Sequence, residues 1–261
     1  MRRFIKKTVV ITGGASGIGA AAVHRFHQEG ANVVISDINQ ELGESLSEEL
    51  GARAIFCASD VSNYEDVNNL MRVAYSEFGS LDVLFNNAGI GCIGLTPDLP
   101  IDEWQRVLAI NLDGVFFGCK AAIPYMRKSG SGVIINTASA SGLAADYGFT
   151  AYNAAKGAVI NYTRAVAIDH AREGIRVNSL CPGPVQTPIT ADAKSVPGLE
   201  EKWADLVPIG RWAKPEEMAS IVAFLASDDA SYMVGATVVA DGGLGAHTGQ
   251  PNMVEIMTGE H

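Results

Sequence analysis

Thr8-Val9-Val10-Ile11-Thr12-Gly13-Gly14-Ala15-Ser16-Gly17-Ile18-Gly19 reads as a short apolar strand that runs into a glycine-rich turn and then opens a helix. A turn this tight needs residues without a Cβ, and the same residues let a pyrophosphate approach both the backbone and the helix N-terminus. Gly13, Gly17 and Gly19 carry that argument, with Ser16 and Ile18 between them, at GxxxGxG rather than GxGxxG spacing. Alone, the same turn would serve a strand–helix unit that holds no ligand, so its context decides.

That context is a repeating one. Val33-Val34-Ile35, Ala54-Ile55-Phe56, Val83-Leu84-Phe85, Val133-Ile134-Ile135, Ile175-Arg176-Val177 and Thr237-Val238-Val239 read as further short strands. Most are continuously apolar, as strands buried on both faces should be. Amphipathic helices lie between them. The clearest is expected to start at a capping box, Ser62-x-x-Glu65, to carry Val67, Leu70, Met71, Ala74, Tyr75 and Phe78 on one stripe, and to stop at Gly79. Another is expected from about Thr150 to Glu173, ending at Gly174. Strand–helix alternation predicts an α/β fold of about seven parallel strands with helices on both faces and right-handed crossovers. With no repeat, low-complexity tract or linker, residues 1–261 read as a single domain; only 188–212 and the tail 244–261 escape the pattern.

The bulk properties exclude several classes. With 18% charged and 48% hydrophobic residues in 261, the chain is expected to fold around a large core. The net charge is −10 and no Lys/Arg cluster follows residue 7, so no nucleic-acid partner is expected. Cys57, Cys92, Cys119 and Cys181 are scattered and read as small buried residues of a reducing compartment. Met1-Arg2-Arg3-Phe4-Ile5-Lys6-Lys7 has the charge of a targeting segment, but Thr8-Val9-Val10-Ile11 is too short for its apolar part. No apolar run approaches a membrane span, and a soluble cytoplasmic protein is predicted. His24, His27, His170, His247 and His261 lack metal-ligand spacing, so no catalytic metal is expected.

Asp37 ends the second strand, eighteen residues past Gly19, with Ile38 next to it. A carboxylate there can accept hydrogen bonds from the hydroxyls of an adenosine ribose. It would also repel a 2′-phosphate: at ~4 Å and an effective dielectric of ~20, one like-charge pair costs roughly 4 kcal/mol before screening. Positions 14–16 are Gly, Ala and Ser, with no cation to offset this. The reading therefore predicts NAD over NADP. Asp60-Val61 at the end of the third strand fits an adenine pocket, and Asn87-Ala88-Gly89 after the fourth fits a cofactor-supporting turn; either could instead be an ordinary loop.

Tyr152 and Lys156 stand four residues apart in Tyr152-Asn153-Ala154-Ala155-Lys156, downstream of Ser139. In a helix this spacing puts the phenol and the ammonium on one face. An ammonium ~4–5 Å away gives roughly 3–4 kcal/mol, enough to bring a phenol from about 10 toward pH 7–8, where a general acid/base works.

Together these stretches resemble the short-chain dehydrogenase/reductase family, in its compact single-domain branch. The match comprises Thr12-Gly13-x-x-x-Gly17-Ile18-Gly19, Asp60-Val61, Asn86-Asn87-Ala88-Gly89, Asn111, Ser139, Tyr152-x-x-x-Lys156, Ile175-Arg176-Val177-Asn178, Pro182-Gly183 and Asp241-Gly242-Gly243, in the family's order. The resemblance implies a Rossmann-type doubly wound sheet and an NAD-dependent oxidoreductase that interconverts a secondary alcohol and its ketone. It makes Tyr152 the general acid/base. Lys156 lowers the Tyr152 pKa and binds the nicotinamide ribose, and Ser139 binds the substrate oxygen. Asn111 is expected to interrupt its helix and hold a water that links Lys156 to solvent. Pro182, Gly183, Val185 and Thr187 are expected to wrap the nicotinamide.

The family's lid corresponds to 188–212. Here Val196, Pro197, Leu199, Trp203 and Leu206 make it apolar, which suits a small hydrophobic or cyclic substrate or equally a lid sealed against its domain. Ile93, Ser139, Ser141, Tyr147, Tyr152 and Trp203 are the expected substrate residues. The resemblance and the small face of the helix around Tyr152 (Ala151, Ala154, Ala155, Gly157, Ala158) predict a homotetramer, with the tail from 244 covering a neighbour's site or packing at an interface. Two other readings compete: a 3-oxoacyl-thioester reductase of the acyl-carrier-protein type, and an NAD-binding sensor or scaffold without turnover. Arg127, Lys128 and Arg172 leave room for the first.

Overall fold

The computed structural model describes residues 2–191 and 196–259. Met1, residues 192–195 of the expected lid, and the last two residues of the expected tail, His261 among them, lie outside the described residues.

Seven strands form one sheet: β1 (Thr8–Thr12), β2 (Asn32–Asp37), β3 (Ala54–Ala58), β4 (Val83–Asn86), β5 (Gly132–Thr137), β6 (Ile175–Pro182) and β7 (Thr237–Ala240). Their order is β3-β2-β1-β4-β5-β6-β7, and every neighbouring pair is parallel. The helices α1 (Gly17–Gln28), α2 (Gln40–Leu50), α3 (Tyr64–Phe78), α4 (Ile101–Leu108), α5 (Gly114–Ser129) and α6 (Thr150–His170) connect β1 through β6, and the helix Pro215–Ala226 lies between β6 and β7. Strand order reverses between β1 and β4, and in such a sheet ligands bind beyond the carboxyl ends at that point.

The continuously apolar strands have the reason expected of them. Side chains alternate across a strand, so Val10, Val34, Leu84 and Ile134 enter one buried cluster with Leu70, Met71 and Met126 of α3 and α5. Val9, Ile11, Val33, Ile35, Phe85 and Ile135 enter the other, with Phe26 of α1 and Val222 of the helix Pro215–Ala226. Both faces of the sheet are thus dry, which a doubly wound fold requires.

One local expectation is corrected. The expected capping box at Ser62 does not form. The cap of α3 is Asn63, whose side chain accepts from the Glu65 N–H at 3.0 Å, and the helix starts at Tyr64. Ser62 is held by the end of β3, where its Oγ donates to Asp60 Oδ1 at 2.7 Å. Residues 101–129 form one continuous helical run, and an 18-residue window of it has a mean hydropathy of 1.4, enough to cross a membrane by length and composition only. Half of that window is buried inside the domain, because Val115, Cys119, Ala122 and Met126 pack on the sheet.

The remaining segments are short. α6 passes through a 3-10 turn at Ala171–Glu173 to Gly174, as expected. The lid region holds a 3-10 turn at Pro188–Thr190 and a helix at Leu199–Asp205, and the tail ends in an exposed helix at Met253–Thr258.

Candidate active site

The turn after β1 is stitched to the turn after β4. Thr12 Oγ1 accepts from the N–H groups of Asn87 and Ala88 at 3.0 and 3.1 Å, and Asn87 Nδ2 donates to the carbonyls of Thr12 and Gly13. Gly17 takes φ 52°, in the left-handed region. A Cβ at Gly19 would stand 1.9 Å from the Gly13 carbonyl oxygen, so this position admits only glycine if the turn is to close. Ser16 caps α1 without a side-chain capping bond, so its hydroxyl is not spent on the first-turn N–H groups.

Beyond this turn lies a cavity of about 340 Å³ that runs from Asp37 and Ile38 to Tyr152 and Lys156. Its walls include Gly13, Ser16, Gly17, Ile18, Asp60, Val61, Asn87, Ala88, Gly89, Pro182, Gly183, Val185 and Thr187, each expected from sequence. Gly19 is not a wall; it lies behind the turn and allows it to form. Sequence reasoning missed Ser59 and Thr137, which also face the cavity and whose buried hydroxyl oxygens have no hydrogen-bond partner among the described residues. Both stand at carboxyl ends of strands, and that position was the available signal. A glycine cradle at a helix N-terminus, unpartnered hydroxyls and a carboxylate at the far end fit a nicotinamide dinucleotide.

Asp37 is fixed by the backbone. Its Oδ2 accepts from Ala15 N–H at 3.1 Å and its Oδ1 from Asn39 N–H at 3.0 Å. Lys156 is the only Lys or Arg among the described residues that line this cavity, and it lies at the opposite end from Asp37.

α6 is placed by a buried polar ladder. Asn86 Nδ2 donates to Asn136 Oδ1 at 2.9 Å, and Asn136 Nδ2 donates to Thr163 Oγ1 at 2.9 Å, tying β4 and β5 to the helix. Lys156 is buried at 2% exposure and donates to the Thr137 carbonyl at 2.8 Å. Its Nζ stands 5.7 Å from the Tyr152 ring centroid, so the two share one helix face. Ser139 follows β5 and caps a short turn through Ser141 N–H.

The titration expected of Tyr152 is corrected. Burial pushes the phenol above its usual value; hydrogen bonding with Ser139 opposes this, and the Asp146 charge adds to the rise. Burial also brings Lys156 down to about 8, so at neutral pH it keeps its charge with a narrower margin than a free lysine. Residue spacing gives the distance between the groups but not the loss of water around them.

Asn111 interrupts its helix with one π turn at Ala109–Asp113. Its side chain is committed to backbone: Nδ2 donates to the carbonyls of Ile90 and Val107, and Oδ1 accepts from Ile90 N–H.

A second cavity of about 1230 Å³ adjoins the first, and Ser139 and Tyr152 line both. Of the expected substrate residues, Ile93, Ser139, Ser141, Tyr152 and Trp203 face it. Tyr147 does not: it is 100% exposed, and the same loop instead lines the cavity with Phe149 and with Asp146, itself exposed. Trp203 meets Trp212 edge-on at 5.1 Å, which packs the Leu199–Asp205 helix against the buried Trp212.

Comparison with known proteins gives consistent results. The family model described as enoyl-(acyl carrier protein) reductase matches residues 13–245. The meso-2,3-butanediol dehydrogenase of Serratia marcescens is 44% identical over 97% of this chain and 100% of its own length. Cyclohexanol dehydrogenase of Acinetobacter sp. (strain SE19) is 40% identical over 92% of this chain and 95% of its own. Cis-4-hydroxycyclohexanecarboxylate dehydrogenase of Sinomonas cyclohexanicum is 42% identical over 92% of this chain and 97% of its own. The crystal structure of gox2181 superposes with a TM-score of 0.91 at 35% identity, covering 94% of this chain and 98% of that one.

Proposed function

This chain belongs to the short-chain dehydrogenase/reductase family; it is a nicotinamide-dependent oxidoreductase of secondary alcohols and their ketones, and we propose that its nucleotide is NAD and its substrate small, neutral and hydrophobic or cyclic. The observation that carries this reading is that the nucleotide cavity and the larger apolar cavity meet at Ser139 and Tyr152.

When bound, the nicotinamide accepts or supplies the hydride and, when oxidised, adds positive charge that favours a phenolate. The protein's own groups handle the proton. Tyr152 Oη takes it from the alcohol during oxidation and returns it during reduction. Ser139 Oγ holds the substrate oxygen against Tyr152. Lys156, fixed by Thr137, binds the nicotinamide ribose and supplies the neighbouring positive charge. Asn111 fixes the Ile90 backbone at the mouth of the site. Asp37 accepts from the adenosine ribose, while Pro182, Gly183, Val185 and Thr187 enclose the nicotinamide end.

The preference for NAD rests on Asp37, since no cation stands near it among the described residues that line this cavity. Asp37→Ala is expected to narrow the NAD/NADP ratio of kcat/KM by about tenfold or more. An unaltered ratio would mean that the preference arises elsewhere.

The apolar walls Ile93, Leu199, Trp203 and Leu206 favour a small ring or short chain over a charged substrate. Initial rates with a panel of cyclic alcohols and with an acetoacetyl thioester decide between this reading and a 3-oxoacyl-thioester reductase. Arg127, one of the basic residues that could greet an acidic carrier protein, is paired with Glu173 at 2.7 and 2.9 Å. Preferred turnover of the thioester would overturn the small-alcohol reading. Nucleotide binding without turnover of any panel member would favour a sensor. We further propose a homotetramer, supported by exposed Ile101, Phe116 and Ile168 on α4–α6, and a cytoplasmic site, which the four free thiols suit. A monomeric mass by light scattering would remove the first.

A further inference from the structure

One carboxylate in the substrate cavity has no part in the reaction described above. Asp146 stands on the loop between Ser139 and α6 and faces the larger cavity. Its backbone is pinned to α6, because Asn153 Nδ2 donates to the Asp146 carbonyl at 3.0 Å. Its side chain ends a chain of hydroxyls: Ser139 Oγ donates to Ser141 Oγ at 3.1 Å, and Ser141 Oγ donates to Asp146 Oδ2. Asp146 Oδ1 accepts no hydrogen bond among the described residues, and the residue is exposed where it lines the cavity.

The charge around it is one-sided. The only charged side chains among the described residues lining this cavity are Asp146 and Asp241. Asp241 is occupied by its own loop, with Oδ1 accepting from Gly243 N–H at 2.9 Å and Oδ2 from Gly245 N–H at 2.7 Å. Asp146 therefore offers the unspent acceptor, beside the Ser139–Tyr152 pair and in a largely apolar cavity. An acceptor-only group there rewards a substrate that brings a hydroxyl donor and repels one that brings a carboxylate.

We propose that Asp146 is a specificity-determining residue, which positions Ser139 through Ser141 and accepts a hydrogen bond from a second hydroxyl of a neutral diol while excluding hydroxy-carboxylates. This rests on the alcohol oxidoreductase reading given above. Within that reading it names the substrate class: a diol is to be preferred over the matching simple alcohol.

The test compares kcat/KM for cyclohexanol, 1,2-cyclohexanediol and 4-hydroxycyclohexanecarboxylate in the wild type, Asp146→Asn and Asp146→Ala. Asparagine keeps an acceptor for Ser141 and removes the charge; alanine removes both. In the wild type the diol is expected to exceed cyclohexanol by about tenfold or more. Asp146→Ala is expected to erase most of that ratio, chiefly through the diol's KM. Asp146→Asn is expected to raise the carboxylate-to-cyclohexanol ratio by about tenfold or more. A merely structural role would lower all three substrates in parallel and leave the ratios where they were, and that result overturns the proposal. Turnover of cyclohexanol with unchanged ratios sinks Asp146 alone; no turnover of any alcohol by the wild type sinks the enzyme reading and the proposal with it.

Discussion

Replacing Tyr152 with phenylalanine is expected to lower kcat by about a hundred- to ten-thousand-fold. The ring, its edge-on contact with Phe149 at 6.2 Å and the helix are kept; what leaves is one hydroxyl at the junction of the two cavities. Nucleotide affinity is expected to stay within about threefold, because the glycine turn and Asp37 hold the other end of the dinucleotide. Rates of oxidation in the wild type should rise with pH as the phenol is deprotonated in the enzyme–nucleotide complex, and that rise should vanish in the variant. Steady-state kinetics across pH, together with nucleotide titration by fluorescence, read both effects. Unchanged turnover would remove Tyr152 from the mechanism.

Lys156→Met is expected to separate activity from stability. Turnover should again fall by about a hundred-fold or more, since the variant loses the charge beside Tyr152 and the ribose contact. The nucleotide-free protein should nevertheless become more stable at neutral pH. Burial holds Lys156 at about 8, whereas in the unfolded chain its value is near 10.4. The unfolded chain therefore binds more protons between about pH 8 and pH 10.4, so this group makes stability rise with pH across that window. Below about pH 8 the penalty of burying the ammonium is fully present. Methionine removes it, offset by the lost bond to the Thr137 carbonyl, for a net gain on the order of 2 kcal/mol. Denaturant midpoints at pH 7 and pH 10 should show the variant's advantage shrinking as pH rises. A variant less stable than the wild type at pH 7 would mean that the buried amine stabilises the fold.

The parts of this protein legible in its sequence are those where few residue types can do the job. Gly19 could be nothing else with Gly13 folded against it, and the apolar runs of β1, β2 and β4 follow from helices covering both faces. Tyr152 and Lys156 were legible because helical spacing fixes which face they share. Other features turned on competition between equivalent partners. Ser62 and Asn63 can both cap a helix, and Asp60 decided the matter by taking Ser62. Tyr147 and Asp146 sit in a loop without periodicity, so nothing in their order told which one faced the cavity. Asn111 was found by pattern, yet its amide went to the backbone of Ile90 and Val107. The titration of Tyr152 depended on burial, which no spacing encodes.

The central claim is that Tyr152 exchanges a proton with an alcohol held by Ser139 at the nicotinamide. A crystal structure of the ternary complex with NAD and a slowly reacting alcohol tests it most directly. The account predicts the alcohol oxygen within about 3 Å of both Tyr152 Oη and Ser139 Oγ, with its carbinol carbon against the nicotinamide ring. An alcohol bound away from both hydroxyls, or a nicotinamide lying outside the cavity that Tyr152 and Lys156 line, would contradict it.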